Sequence, residues 1–255
     1  MRKALSVVAL FIPLLLRASG QFGISTPLLT NSGTTCSVQN PPGAPQLVQF
    51  SNSYGGSFND TLSMTGIVSG HAVVVSTAFD SATPPGNTTV SDTFGNTWTA
   101  LSTNGTPPYR LYVWVALNVT GGAGVDSINI GNSSVSWDSN PMGAEFSGVA
   151  TSGALDGTPA VTASATLTWP VITNGVTTTT ADDMLITIFG AQCGGGLCTG
   201  TIAACTFTSA GSVVHASYMA VAPQSAIGTF ASSWTGIAGI EGARDNATVL
   251  FALKP

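Results

Sequence analysis

Two Lys (Lys3, Lys254) and two Glu (Glu145, Glu241) are all that a chain of 255 residues contains of these types. Exposed helix faces are drawn from Glu, Lys, Gln and Arg, whose long side chains lose little rotamer freedom on a helix. A chain this poor in them cannot surface a set of helices, and a helix-rich fold is excluded. Charged residues amount to 7% in all, where about a quarter is usual for a soluble domain. Nucleic acid is excluded as a partner on the same ground, because binding it needs Lys and Arg to displace counterions from phosphate. Disorder is disfavoured too: 44% of the residues are apolar, enough to offset the ordering entropy.

The first twenty residues read as a targeting segment. Arg2 and Lys3 precede an apolar run from Ala4 to Leu16, and Ala18-Ser19-Gly20 supplies a small-residue cleavage site. A bilayer needs about 20 helical residues; this run is shorter and contains Pro13. Residues 1–20 are therefore expected to be a signal peptide, with a secreted or periplasmic product and no stable membrane insertion. Without them, Arg110, Arg244 and Lys254 face 11 acids, a net charge of −8. That disfavours anionic polymers and anionic membranes and leaves neutral ligands, cations and polysaccharides open. In an exported chain the four cysteines, Cys36, Cys193, Cys198 and Cys205, read as two disulfides of open pairing. A zinc site would need C-x2-C spacing and neighbouring His ligands, which this pattern lacks.

Residues 21–45 form an extended lead-in rich in Pro, Gly and Ser. From Gln46 to Pro255, Val-, Ile-, Thr- and aromatic-rich runs recur between Gly, Pro, Asn and Asp punctuation, as in short strands joined by turns. In 109–119 the alternation is strict: Tyr109, Leu111, Val113, Val115, Leu117 and Val119 share one face, opposite Arg110, Tyr112, Trp114, Ala116 and Asn118. Strands without helices imply packed antiparallel sheets. The expected fold is all-β, a two-sheet antiparallel β-sandwich of jelly-roll type over 46–255. Two Ig-like domains divided near 150–160 are the alternative, but no repeated Trp or Cys pattern supports that division.

Val90-Ser-Asp-Thr-Phe-Gly-Asn-Thr-Trp98, Tyr112-Val-Trp-Val-Ala-Leu-Asn118, Gly143-Ala-Glu-Phe-Ser-Gly148 and Thr177-Thr-Thr-Thr-Ala-Asp-Asp-Met-Leu185 carry a resemblance. Together they resemble uncharacterised secreted β-sandwich modules of soil and environmental bacteria, with D-x-x-G-N-T-aromatic and E-aromatic-S-G motifs. The resemblance implies a sandwich over roughly 46–255 and brings no catalytic residues with it. The Cys193–Cys205 stretch departs from the plain module.

Candidate site residues follow from the rare charges and the aromatics. Asp92-Thr-Phe-Gly-Asn96 reads first as a hairpin turn. Asp92, Asp182 and Asp183 are the candidates for a structural Ca2+, and no other cofactor is expected. Glu145 stands out in a strand otherwise poor in charge, where a buried carboxylate needs partners and a cleft carboxylate can act as acid or base. Catalysis of glycoside hydrolysis would require a second carboxylate, from Glu241 or Asp138. Tyr112 and Trp114 share a strand face, a sugar-stacking platform flanked by Arg110 and Asn118 if open and core if covered. His71 and His215 are the only histidines, and no G-x-S-x-G elbow accompanies them. The expected function is a secreted binding or adhesion module for neutral carbohydrate or another cell-surface polymer. An extracellular glycoside hydrolase using Glu145 is the first alternative. A structural surface or matrix subunit that self-associates through strand edges is the second.

Overall fold

The computed structural model describes residues 42–53, 59–80, 88–104, 109–131, 141–191, 200–202, 208–213, 217–236 and 245–255. These residues are all-β, as the scarcity of Glu and Lys requires. The first eight strands are β1 (Gln46–Asn52), β2 (Asn59–Thr65), β3 (Ala72–Asp80), β4 (Thr89–Ser91), β5 (Thr99–Asn104), β6 (Tyr109–Ala116), β7 (Val125–Gly131) and β8 (Met142–Ser147). They are followed by β9 (Leu155–Ser164), β10 (Val171–Ile172), β11 (Val176–Thr177), β12 (Asp183–Ala191) and β13 (Gly200–Ile202). The last are β14 (Thr208–Val213), β15 (Ser217–Gln224), β16 (Thr229–Phe230), β17 (Ser233–Gly236) and β18 (Asn246–Leu253).

Pairing is nested in each half of the chain. In the first half β1 pairs with β8, β2 with β7 and β3 with β6, as in one long antiparallel ribbon rolled on itself. The second half repeats the scheme: β9 pairs with β18, β10 with β17, β11 with β16 and β12 with β15. Rolling puts the strands into sheets of order β1-β8-β3-β6-β5 and β2-β7-β4 in the first half. The second half has β9-β18-β12-β15-β14 with β10-β17-β13 and the short pair β11-β16. The fold is thus a duplicated sandwich of jelly-roll connectivity, a duplication that no repeated Trp or Cys pattern marks in the sequence.

The two five-stranded sheets face each other. Val74, Leu111, Val113, Phe146, Ile186, Ile188, Val249 and Phe251 meet in the central core. The outer face of the first sheet carries Val73, Val75, Tyr112 and Trp114, covered by Leu62, Met64, Ile128 and Ile130 of β2 and β7. Its counterpart in the second sheet carries Leu185, Phe189 and Leu250, covered by Val171, Val176 and Trp234. Both five-stranded sheets are therefore covered on both faces, and every residue of β12 and β18 is buried. Apart from Asp183 at the start of β12, these strands carry no ionisable residue, in keeping with the cost of burying a charge. Close layering also shows at Gly143, where a Cβ would lie 2.5 Å from Leu62 Cδ2.

One local expectation changes. Alternation places Val119 on the Leu111 face, but β6 ends at Ala116 and Asn118 takes a φ of 50°. The left-handed residue reverses the chain's facing, and Val119 packs instead with Trp114.

Each edge strand of the five-stranded sheets breaks register against its inner neighbour. The irregularities lie at Leu47/Gln49 in β1, Ala100/Ser102 in β5 and Ser209/Gly211 in β14. In β9, residues 157–159 stand opposite Phe251 alone. The inner pairs β3–β6, β3–β8, β12–β15 and β12–β18 run without a shift.

Candidate functional site

Glu145 projects from β8 toward β2 rather than into the central core, because Ala144 and Phe146 take the core side. Its side chain is 0% exposed. Oε1 accepts the Val68 N–H at 2.8 Å and lies 2.7 Å from His71 Nδ1, while Oε2 accepts Gln49 Nε2 at 2.5 Å. Gln49 sits opposite Glu145 in the β1–β8 pairing. The carboxylate thus ties β1 and β8 to the loop that leads into β3. Both oxygens are occupied, which is how a buried charge is tolerated.

The loop it holds is locked to two others. Gly70 N donates to Val119 O at 2.9 Å, Val119 N to His71 O at 2.9 Å, and Gly122 N to Ile67 O at 2.9 Å. Gly121 approaches so closely that a Cβ there would lie 2.0 Å from Ile67 O. From the β4–β5 loop, Asn96 Oδ1 accepts Thr120 N at 2.6 Å and Asn96 Nδ2 donates to Thr120 O at 3.2 Å. Asp92 accepts Asn96 N at 3.0 Å and Trp98 Nε1 at 2.9 Å, and Gly95 supplies the positive φ of the turn. Asp126, 1% exposed, accepts Thr93 N at 3.0 Å. The Asp92-to-Trp98 motif is a loop lock in this structure.

The second half builds the same lock from a different residue. Asp156 on β9 occupies the place across from Ala252 that Gln49 occupies across from Glu145. Its carboxylate accepts the backbone N–H of Thr179 and Thr180, each at 2.7 Å, and both threonine hydroxyls. Thr180 precedes Met184 as Val68 precedes Ala72, four residues ahead of corresponding strand positions. Burial works to raise the Asp156 pKa, but the hydrogen bonds from Thr179 and Thr180 outweigh it and hold the carboxyl below the usual carboxylate range. Asp183 moves the other way: burial, then the Asp156 carboxyl, pushes it up to about 7.

The remaining candidates are placed as follows. Tyr112 and Trp114 are 5% and 4% exposed, stacked on each other with centroids 5.7 Å apart, under β2 and β7. Of the two settings the sequence left open for this face, covered or open, the structure has the covered one. Arg110 lies on the same strand with its Nε buried, and Asn118 lies in the turn beyond it. Trp234 is buried with its Nε1 3.2 Å from Thr187 Oγ1, whereas Trp98 and Trp169 are partly exposed. Asp182 adopts a φ of 64° in the turn before β12. Among the described residues, no group of three His, Cys, Asp or Glu stands close enough to hold a metal ion. Residues 1–41, Asp138, Trp137, Cys193, Cys198, Cys205, His215, Glu241 and Arg244 lie outside the described residues.

Sequence reasoning missed the duplication and the roles of Gln49 and Asp156. A signal for the duplication exists: Tyr112-x-x-Val-Ala116 and Tyr218-x-x-Val-Ala222 occupy matching places, since Ala116 pairs with Val73 and Ala222 with Leu185. No family model, no curated protein and no solved structure matches this chain.

Proposed function

We propose that the chain is a secreted, non-catalytic binding module for a neutral extracellular polymer, with carbohydrate as the preferred class. The observation that carries this reading is the division of its polar groups. The described carboxylates Asp92, Glu145 and Asp156 are spent inside the molecule on loop locks. The outer layer of the second half instead exposes neutral polar residues, Thr168, Asn174, Thr177 and Thr229, and carries the half-buried Trp169. Sugars are bound by such uncharged donors and acceptors next to an aromatic ring. The edge irregularities support a discrete module over a filament subunit, because bulges twist an edge away from further pairing.

The test is retention of the secreted protein on insoluble neutral polysaccharides, with Trp169→Ala and Glu145→Gln variants. Retention that Trp169→Ala weakens at least fivefold and Glu145→Gln leaves unchanged in the folded fraction is the expected result. Binding to none of the polymers would overturn the reading. Release of reducing sugar that Glu145→Gln abolishes would replace it with a glycoside hydrolase.

A further inference from the structure

Asp183 opens β12 with its side chain 1% exposed, and no donor reaches its Oδ2. Its Oδ1 lies 3.1 Å from Thr180 Oγ1, and the same hydroxyl is 2.6 Å from Asp156 Oδ2. That one hydroxyl brings the Asp183 and Asp156 carboxyls together, and after burial the Asp156 carboxyl is what works to raise Asp183. Asp156 already holds the two backbone N–H groups and two hydroxyls of Thr179 and Thr180. Two neighbouring buried carboxylates repel, and neither has solvent to screen the other. A proton on Asp183 removes that repulsion and converts an acceptor-only group into a donor toward Asp156. Among the described residues Lys254, just after β18, also acts on Asp183 and favours its ionised form. The β15 residues paired with Asp183 and Met184 are Gln224 and Pro223, both neutral.

We propose that Asp156 and Asp183 share one proton and form a pH-sensitive clasp on the loop from β11 to β12, tight in mildly acidic surroundings and loosened when that proton is lost. The inference is independent of what the module binds. The raised Asp183 pKa supports it. In the folded chain Asp183 keeps its proton up to about pH 7, whereas its unperturbed value is 3.8. Folding therefore gains from Asp183 below its unperturbed value and loses that gain as pH rises toward 7.

The experiment is thermal unfolding of the full secreted chain from about pH 4 to pH 9, for the wild type and Asp183→Asn, each with and without millimolar Ca2+. Asn keeps the shape of the acid and donates to Asp156 at every pH. The wild-type Tm should fall by several degrees between about pH 5 and pH 8, and Asp183→Asn should make that fall clearly shallower, leaving the part due to Asp60 and Asp126. Parallel profiles for the two proteins would overturn the proposal. So would Ca2+ restoring the wild-type Tm at about pH 8, since the orphaned oxygen would then await a cation rather than a proton. If Asp183→Asn does not fold, carboxyl carbon NMR on the wild type decides: the resonance assigned to Asp183 must titrate near neutrality, above that of Asp60, and an Asp183 that titrates in the ordinary carboxylate range sinks the idea.

Discussion

Glu145 shows how a rare charged residue can point to architecture rather than to chemistry. A carboxylate at 0% exposure with Gln49, Val68 N and His71 on its two oxygens acts as a fastener for the loop ahead of β3. Glu145→Ala leaves the Val68 N–H and the His71 ring nitrogen without this acceptor and takes one of two from Gln49 Nε2, which also donates to Thr65 O; each unsatisfied buried group costs about 1–3 kcal/mol. The expected loss of unfolding free energy is therefore about 3 kcal/mol, read by urea denaturation. Glu145→Gln keeps one acceptor oxygen and should lose less. A result in which Glu145→Ala is as stable as the wild type would remove the fastener reading. The rarity of Glu marked the position in the sequence. That its partners would be Gln49 and a backbone N–H was not legible, because they stand 96 and 77 positions away along the chain.

At the level of strands, alternation in β6 was legible and its consequence was not. Leu111, Val113 and Val115 face one core, and Tyr112, Trp114 and Ala116 face another. A periodic pattern tells which side chains share a face, but not whether a second sheet covers it. The short strands β4, β10 and β11 carry too few residues for a period to register. The irregular edges lead to a further expectation. In β9, residues 157–159 bow out opposite Phe251, with Gly157 at a φ of 76°. Deleting Gly157 and Thr158 and replacing Pro159 with Val would straighten that edge and restore its N–H donor. Concentration-dependent oligomers by light scattering are the expected outcome. A variant that stays monomeric while folded would show that the bulge does not guard the edge.

Three of the buried acids, Asp60, Asp126 and Asp183, push stability in one direction. Burial raises Asp60 to about 6, and burial first, with Asp92 adding, raises Asp126. With Asp183, these acids hold protons in the folded chain that the unfolded chain has released above 3.8. Stability from them is complete below that value and is lost as pH rises through the folded values. Asp156 has the opposite sign: its contribution is present above 3.8 and lost as pH falls further. The full chain should accordingly be most resistant to heat or urea in mild acid, near pH 4 to 5, and weaker at about pH 8. A flat profile from about pH 4 to pH 8 would contradict this. The all-β class followed from local chemistry, since a chain with two Lys and two Glu has no residues for helix surfaces. The covering of Tyr112 and Trp114 and the loop locks depend on contacts between distant strands. Those are set by which faces find a partner layer when the ribbon rolls up, and no run of neighbouring residues encodes that choice.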